Sequence, residues 1–586
     1  MLDPATWDHD ACGVGLIADR HARASHEWLS RGLEALIRLT HRGATGDGPG
    51  SADGAGVLTA IPWSWFEDSL PTAFHGAANP RAAGMCFLPP AADPAGRAII
   101  AEALEDEGWG QLVWRDVPVD RSVLAAAERA SLPRILQVFA LHQSSPLWPA
   151  SRQDRSLYRA RVMAETRLAA AGMDGAAIVS LSLRTIVYKA LVAPVGLQRF
   201  YPDLAEPRFE TPFTVFHQRF STNTFPQWAL AQPFRSLAHN GEINTILGNR
   251  VQARRRQADR AAMPDVPPDA GPLVRLSGSD SQSLDDMIEH LRQGGLSLAH
   301  AFARVLPRAW EHDPALTSRE RAFEAYQATT CEPWEGPAAI AFADGRQVGA
   351  VLDRNGFRPA RVLTSKDGLV CVGSESGIFD IPEAQVERRG RLGPGEMLVV
   401  DLESRRLIDN TGLRRALAAE HPYRQWLHLA VADISEDTES SVPTENTVAV
   451  STVMRQRIFG YTSEEIELIV RPMVEDGKEA IGSMGDDTPL AVLSARRRLL
   501  PDFFRQRFAQ VTNPPLDPLR ERSVMSLRTL IGRRGRLLDE AAVDARMVAC
   551  PSPILTSSQL DALRAQADRP SLTLSITYDV SGGAFA

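Results

Sequence analysis

Cys12 stands eleven residues from the start of the chain and is followed at once by Gly13-Val14-Gly15. That placement admits two kinds of structure. In one, the cysteine is a small buried residue of an N-terminal strand, as free cysteines often are. In the other, a cut between Ala11 and Cys12 makes it the first residue, carrying a thiol and a base together. A free α-amino group titrates near pKa ~8 and can accept the thiol proton at neutral pH without a histidine. Residues 1–11 are then a removable propeptide. The leader contains Asp3, Asp8, His9 and Asp10 and lacks the continuous apolar core of a secretory signal.

Composition narrows the class. With 586 residues, 44% of them hydrophobic and 23% charged, the chain can build several cores, and its length suggests about three or four domains. Cys12, Cys86, Cys331, Cys371 and Cys550 lie far apart with no CxxC pair. This excludes a disulfide framework and a sequence-encoded zinc or iron-sulfur ligand set, and it fits a reducing cytoplasm. A net charge of −8 argues against nucleic acid and anionic membranes as partners. No uncharged apolar run approaches the ~20 residues needed to cross a bilayer. The runs Arg254-Arg255-Arg256 and Arg496-Arg497-Arg498 read as solvated helix faces. An oligomer is compatible with all of this.

Along the chain, Leu29, Leu33, Leu36 and Ile37 fall on one face of a helix expected over Glu27–Leu39. It ends at His41-Arg42-Gly43, where a glycine-dense loop, GATGDGPGSADGAG over residues 43–56, begins. That loop matches neither a phosphate loop nor a dinucleotide fingerprint in its strand-turn-helix setting. Residues 82–195 read as mixed helices and strands, with Ala177–Val192 forming two adjacent strands and Phe213–Phe216 a further short one.

That last strand runs into a polar cluster, HQRFST at 217–222, followed by HNG at 239–241. Arg219 can hold a carboxylate through a bidentate fork, which suits a substrate with a free α-carboxylate. The Asn240 amide and the unobstructed backbone N–H of Gly241 can together form an oxyanion hole for acyl transfer. Asp280, in the turn-like run Ser277-Gly278-Ser279-Asp280-Ser281, can bind an ammonium group. Each residue also has a structural reading: Arg219 as a surface ion pair, Asn240-Gly241 as a hairpin turn, Asp280 as a helix N-cap.

Longer runs carry a resemblance. ACGVG at 11–15, HRGA at 41–44, DGAG at 53–56, HQRFSTNTFPQW at 217–228, AQPFRSLAHNGEINTILGN at 231–249, EPWEGPAAIAFADG at 332–345, LDRNGFRPAR at 352–361 and GPGEM at 393–397 resemble the amino-terminal part of the glutamate synthase large (alpha) subunit family. That part is a class II glutamine amidotransferase of the N-terminal-nucleophile hydrolase superfamily. GKEAIGSMGDDTPLAVLS at 477–494 and FAQVTNPPLDPLRE at 508–521 resemble the start of the family's central domain. In the loop at 43–56, DGPGSADGAG replaces the family's TGDGAG.

The resemblance implies an α+β fold, a four-layer αββα sandwich followed by a partial α/β central domain. The implied segments are a propeptide at 1–11, an amidotransferase domain at 12–425, a link at 426–450 containing the polar stretch Glu439–Glu445, and a partial central domain at 451–586. In that last part Ser463–Val470 and Pro489–Leu500 are expected to be helical, Pro514-Pro515 and Pro518 a rigid loop, and Ser571–Val580 a strand. It further implies that Cys12 is the nucleophile and its freed amine the base. Arg219 grips the α-carboxylate of L-glutamine, Asp280 its α-amino group, and Asn240 with Gly241 the oxyanion. His41 and His239 take structural roles.

The implied activity is a glutaminase whose ammonia goes to amination of 2-oxoglutarate in a synthase region. That chemistry uses FMN and a 3Fe-4S cluster. No cofactor is expected in this chain itself, since it has no cysteine cluster, so both belong to the missing synthase region or to a partner polypeptide that carries them. Two alternatives stand beside it: an unprocessed scaffold or regulatory subunit that binds glutamine without turning it over, and a purine-pathway amidotransferase, whose phosphoribosyl-diphosphate loop is not recognisable here.

Overall fold

The computed structural model describes residues 12–43, 51–76, 79–143, 148–219, 226–257, 272–434, 450–477, 493, 516–538, 540 and 545–575. The propeptide, the centre of the glycine-dense loop, the Glu439–Glu445 stretch, all of the expected helix Pro489–Leu500 but Leu493, and Pro514-Pro515 lie outside them, as does most of GKEAIGSMGDDTPLAVLS, while Pro518, expected in the same rigid loop, instead opens helix Pro518–Val524.

Strand Gly13–Asp19 is buried along its whole length because it lies at the centre of a seven-stranded sheet. The order across that sheet is 386–391, 361–365, 369–373, 13–19, 213–218, 55–60 and 185–190. A second sheet, ordered 406–408, 397–401, 347–352, 338–343 and 237–241, packs against it. Val14, Leu16, Val57 and Val215 from the first meet Ala238, Ala339, Ala341, Ala350 and Val400 from the second in one apolar layer.

Helices close both outer faces. Helix His26–Arg38, capped by Ser25, buries Leu29, Leu33 and Leu36 as their spacing requires, and Gly32 packs against Thr214 of the first sheet. On the far side of the second sheet, Leu237, Ile340, Phe342 and Val399 pack with Leu284, Ile288, Phe302 and Tyr326 from three helices. The Phe302 and Phe342 rings stack at 4.6 Å. Helix, sheet, sheet, helix is the expected αββα order.

Ala177–Val192 does form two strands, but they do not pair with each other. Ala177–Ser182 joins a separate four-stranded sheet with 81–88, 109–116 and 134–142, while Thr185–Ala190 edges the seven-stranded sheet. Helices Asp93–Asp106 and Ala150–Ala170 cover one face of that extra sheet, and Met85, Phe87 and Phe139 on its other face join the central core. The expected strand Phe213–Phe216 extends to Gln218.

Past residue 420, strand Val431–Asp433, inside the expected link, pairs in parallel with Arg546–Cys550, which pairs antiparallel with Thr529–Arg533. Ser463–Val470 is helical and continues through Asp476, whereas of the expected strand Ser571–Val580 the described part, Ser571–Ser575, forms no strand and the rest lies outside the described residues. Glu540 reaches back into the sandwich. Its carboxylate accepts hydrogen bonds from Gln327 at 3.1 Å and Tyr423 at 3.0 Å and pairs with Arg304 and with His300 at 3.2 Å.

Candidate active site

The strand register brings the first site residues together. Gly13 lies opposite Gln218, and Gln218 opposite Ala55, so one step beyond both ladders Cys12, Arg219 and Gly54 end three adjacent strands side by side. The backbone N–H of Arg219 donates to the Gly54 carbonyl at 2.8 Å. On the other flank Val14 donates to Ser374 Oγ at 3.3 Å and accepts from the Ser374 N–H at 3.0 Å. The glycines of the GVG run let this strand sit deep: a Cβ on Gly15 would lie 2.5 Å from the Phe216 ring.

Cys12 differs from the other cysteines. It is half-buried, whereas Cys86, Cys331, Cys371 and Cys550 are buried. Burial pushes the thiols of Cys86 and Cys331 up to about 12 and raises those of Cys371 and Cys550 as well. A thiol held protonated at neutral pH is a poor nucleophile.

Arg219 is 5% exposed. It is therefore no surface ion pair. Burial lowers its pKa from the ordinary guanidinium value, and the nearby Cys12, Asp53 and Asp280 oppose that shift. Cys12, Arg219 and Asp280 thus share one electrostatic neighbourhood. Asp53, within the DGAG run, belongs to it too, although the sequence assigned it no role.

Asn240 and Gly241 end strand Leu237–Gly241 instead of forming a hairpin turn. Alternation puts Leu237 and His239 toward the helices and Ala238 and Asn240 toward the first sheet, and Ala238 sits in the layer between sheets. Asn240 is 1% exposed, and neither its amide oxygen nor its amide nitrogen has a hydrogen-bond partner among the described residues. Leaving both ends of a buried carboxamide unpaired costs about 1–3 kcal/mol per group, a cost that a bound partner removes. Gly241 has φ +140, and a Cβ there would lie 1.7 Å from the Pro337 carbonyl oxygen, so no side chain fits over its backbone.

Asp280 is the first residue of helix Asp280–Gln293, with Ser279 at the N-cap. Its Oδ1 accepts from the Ser281 N–H and its Oδ2 from the Ile243 N–H, both at 2.7 Å. The carboxylate therefore clamps the turn that follows Asn240-Gly241. His239 points to the same helix, its Nδ1 lying 2.8 Å from Ser281 Oγ. Burial lowers its pKa, so it packs as a neutral ring. His41 lies at the surface, 2.8 Å from Glu375.

His217, quoted within HQRFST but given no role, proves central. It is fully buried, its Nε2 lies 3.0 Å from the His239 carbonyl oxygen, and burial pushes its pKa down to about 3. A carbonyl only accepts, so the neutral ring carries its proton on Nε2. Residues 220–225, next to Arg219, lie outside the described residues.

Residues 12–426 match the family described as class-II glutamine amidotransferases, and residues 454–585 match the glutamate synthase central domain. The chain is 40% identical over 588 residues to the ferredoxin-dependent glutamate synthase 2 of Synechocystis sp., covering 98% of this chain and 37% of that protein. It is 39% identical to the glutamate synthase [NADPH] large chain of Azospirillum brasilense (98% of this chain, 38% of the relative). The corresponding Bacillus subtilis large chain is 38% identical (95% and 37%). The chain thus spans less than two fifths of the length of these relatives.

Proposed function

The chain belongs to the class II glutamine amidotransferases, and on that premise we propose that it hydrolyses L-glutamine to glutamate and ammonia through a thioester on Cys12. The observation that carries the reading is the alignment of Cys12 with Arg219 at the open end of one sheet, opposite an Asn240 amide whose two polar atoms have no partner among the described residues.

The chemistry follows from these groups. After removal of residues 1–11, the Cys12 amine takes the thiol proton and the thiolate attacks the side-chain carbonyl carbon of glutamine. Asn240 Nδ2 and the Gly241 N–H stabilise the oxyanion as it forms. The amine returns its proton to the leaving nitrogen, the C–N bond breaks, and ammonia departs. Water then adds to the γ-glutamyl thioester, giving up a proton to the amine, and the thiol leaves with glutamate as product. Arg219 holds the α-carboxylate through its fork and Asp280 the α-ammonium, so that only an α-amino acid is aligned for attack.

By likeness to the relatives, the ammonia serves amination of 2-oxoglutarate in a synthase region that this chain does not span. FMN and a 3Fe-4S cluster belong by the same likeness to that region or to a partner polypeptide carrying it, since the five cysteines here lie far apart in the sequence with no CxxC pair. The domain reading is an amidotransferase unit over 12–425, a link over 426–450 and a partial central domain over 451–586. A cytoplasmic location goes with it, and no described helix is long and apolar enough to cross a membrane.

The test is ammonia release from glutamine by the isolated polypeptide, with and without 2-oxoglutarate. Stoichiometric glutamate and ammonia support the reading. Glutamine binding with no turnover in either condition replaces it with the scaffold role.

A further inference from the structure

The LDRNGFRPAR run has no part in the mechanism above, yet it builds a distinct surface. Asp353 fixes the loop, its Oδ2 accepting from the Asn355 N–H at 2.9 Å and the Gly356 N–H at 3.2 Å, and Gly356 packs directly on Pro394. Beyond this rigid turn, Arg358, Arg361 and Arg391 line a cavity of about 280 Å³, which Arg520 completes from the region matching the central domain. Among the described residues, no Asp or Glu lines that cavity.

Four arginines thus line one cavity. Arg361 and Arg391 are directly opposite each other on neighbouring antiparallel strands, an arrangement of like charges that destabilises a sheet. Arg358 buries its Nε with no hydrogen-bond partner, and none of the four arginines has an ion pair among the described residues. Arginines close by behave differently: Arg354 pairs with Glu335 at 3.0 Å and Arg308 with Asp313 at 2.5 Å. The Arg520 guanidinium sits 5.9 Å from the Phe357 ring, which holds it toward the same space.

We propose that this cavity is a binding site for a compact, multiply charged oxyanion, a phosphate group or a dicarboxylate, held by Arg358, Arg361, Arg391 and Arg520. Guanidinium forks match the paired oxygens of either anion, and the bound charge removes the repulsion between Arg361 and Arg391. Because Arg520 comes from the C-terminal region, the anion joins that region to the sandwich. The site opens at the same end of the seven-stranded sheet as Cys12, since Arg361 and Gly15 both pair with Gly373.

Calorimetric titration of the full chain with inorganic phosphate, and separately with succinate, in low-salt buffer tests the proposal. At least one of the two binds saturably at one per chain, and the tighter one identifies the chemistry of the ligand. The double variant R361Q/R391Q, which changes two exposed side chains, keeps its circular dichroism spectrum and loses about a hundredfold in affinity, roughly tenfold for each charge-assisted contact. R520Q loses about tenfold on the same arithmetic. Absence of saturable binding by both anions, or equal binding by the native chain and the double variant, overturns the site. An undiminished affinity in R520Q overturns its bridging role.

Discussion

His217 donates through Nε2 to the carbonyl oxygen of His239 across 3.0 Å, and this bond runs from one sheet of the sandwich to the other. His217 is two residues from Arg219, and His239 immediately precedes Asn240. The bond therefore ties the strand beside Cys12 to the strand that carries Asn240. It sets the spacing between them.

That role gives a pH signature. The folded pKa of His217 is pushed down to about 3 from an ordinary 6.5. The unfolded chain takes up a proton at this residue below pH 6.5 and the folded chain does not, so stability holds above the unfolded value and falls as pH drops from there toward 3. The slope contributed is at most about 1.4 kcal/mol per pH unit. Urea midpoints from pH 7.5 to 4 should fall more gently in H217Q than in the native chain, while equal slopes would remove the residue from this role.

Asn240→Ala should lower kcat for glutamine hydrolysis by about 10²–10³ with little change in KM, as the oxyanion role proposed for the amide requires. Steady-state kinetics at saturating glutamine read this directly. An unaltered kcat would place the oxyanion elsewhere.

Arg219→Lys keeps the charge but not the fork. We expect KM for glutamine to rise about tenfold or more, because a point charge cannot hold both carboxylate oxygens in the plane. The control substrate is an amide lacking the α-carboxylate, which the variant should handle as poorly as the native enzyme does.

Glu540→Ala leaves Arg304, 0% exposed, and His300, 1% exposed, without their shared carboxylate. Stability should drop by about 3–5 kcal/mol, the cost of leaving a buried charge uncompensated. Limited proteolysis should then release residues beyond 420 sooner, and an unaltered cleavage pattern would show that Glu540 does not fasten the two regions.

Local pattern made part of this legible. Leu29, Leu33 and Leu36 mark their helix because one face must be buried, and the long matching runs announce the sandwich and grouped the proposed site residues. Long-range pairing is another matter. Asn240 lies opposite Ala339, about a hundred residues away, and neither strand carries a signal of its partner. Ala177–Ser182 and Thr185–Ala190 have the same strand-like composition yet join different sheets, because their destination depends on tertiary packing alone. Val431–Asp433 is only three residues long and falls in a stretch read as link. His217 gave no spacing signal, since one buried histidine has no periodicity. Its motif position, two residues before Arg219, was the clue available.

We propose above that Cys12 becomes the first residue and reacts as a thiolate. Intact mass spectrometry of the purified chain, before and after exposure to 6-diazo-5-oxo-norleucine, tests both halves at once. The expected native mass is reduced by that of residues 1–11, and the expected labelling is one adduct that maps to Cys12, blocks ammonia release and is absent from Cys12→Ala. A chain that retains the residues ahead of Cys12 and stays unlabelled while still releasing ammonia would contradict it.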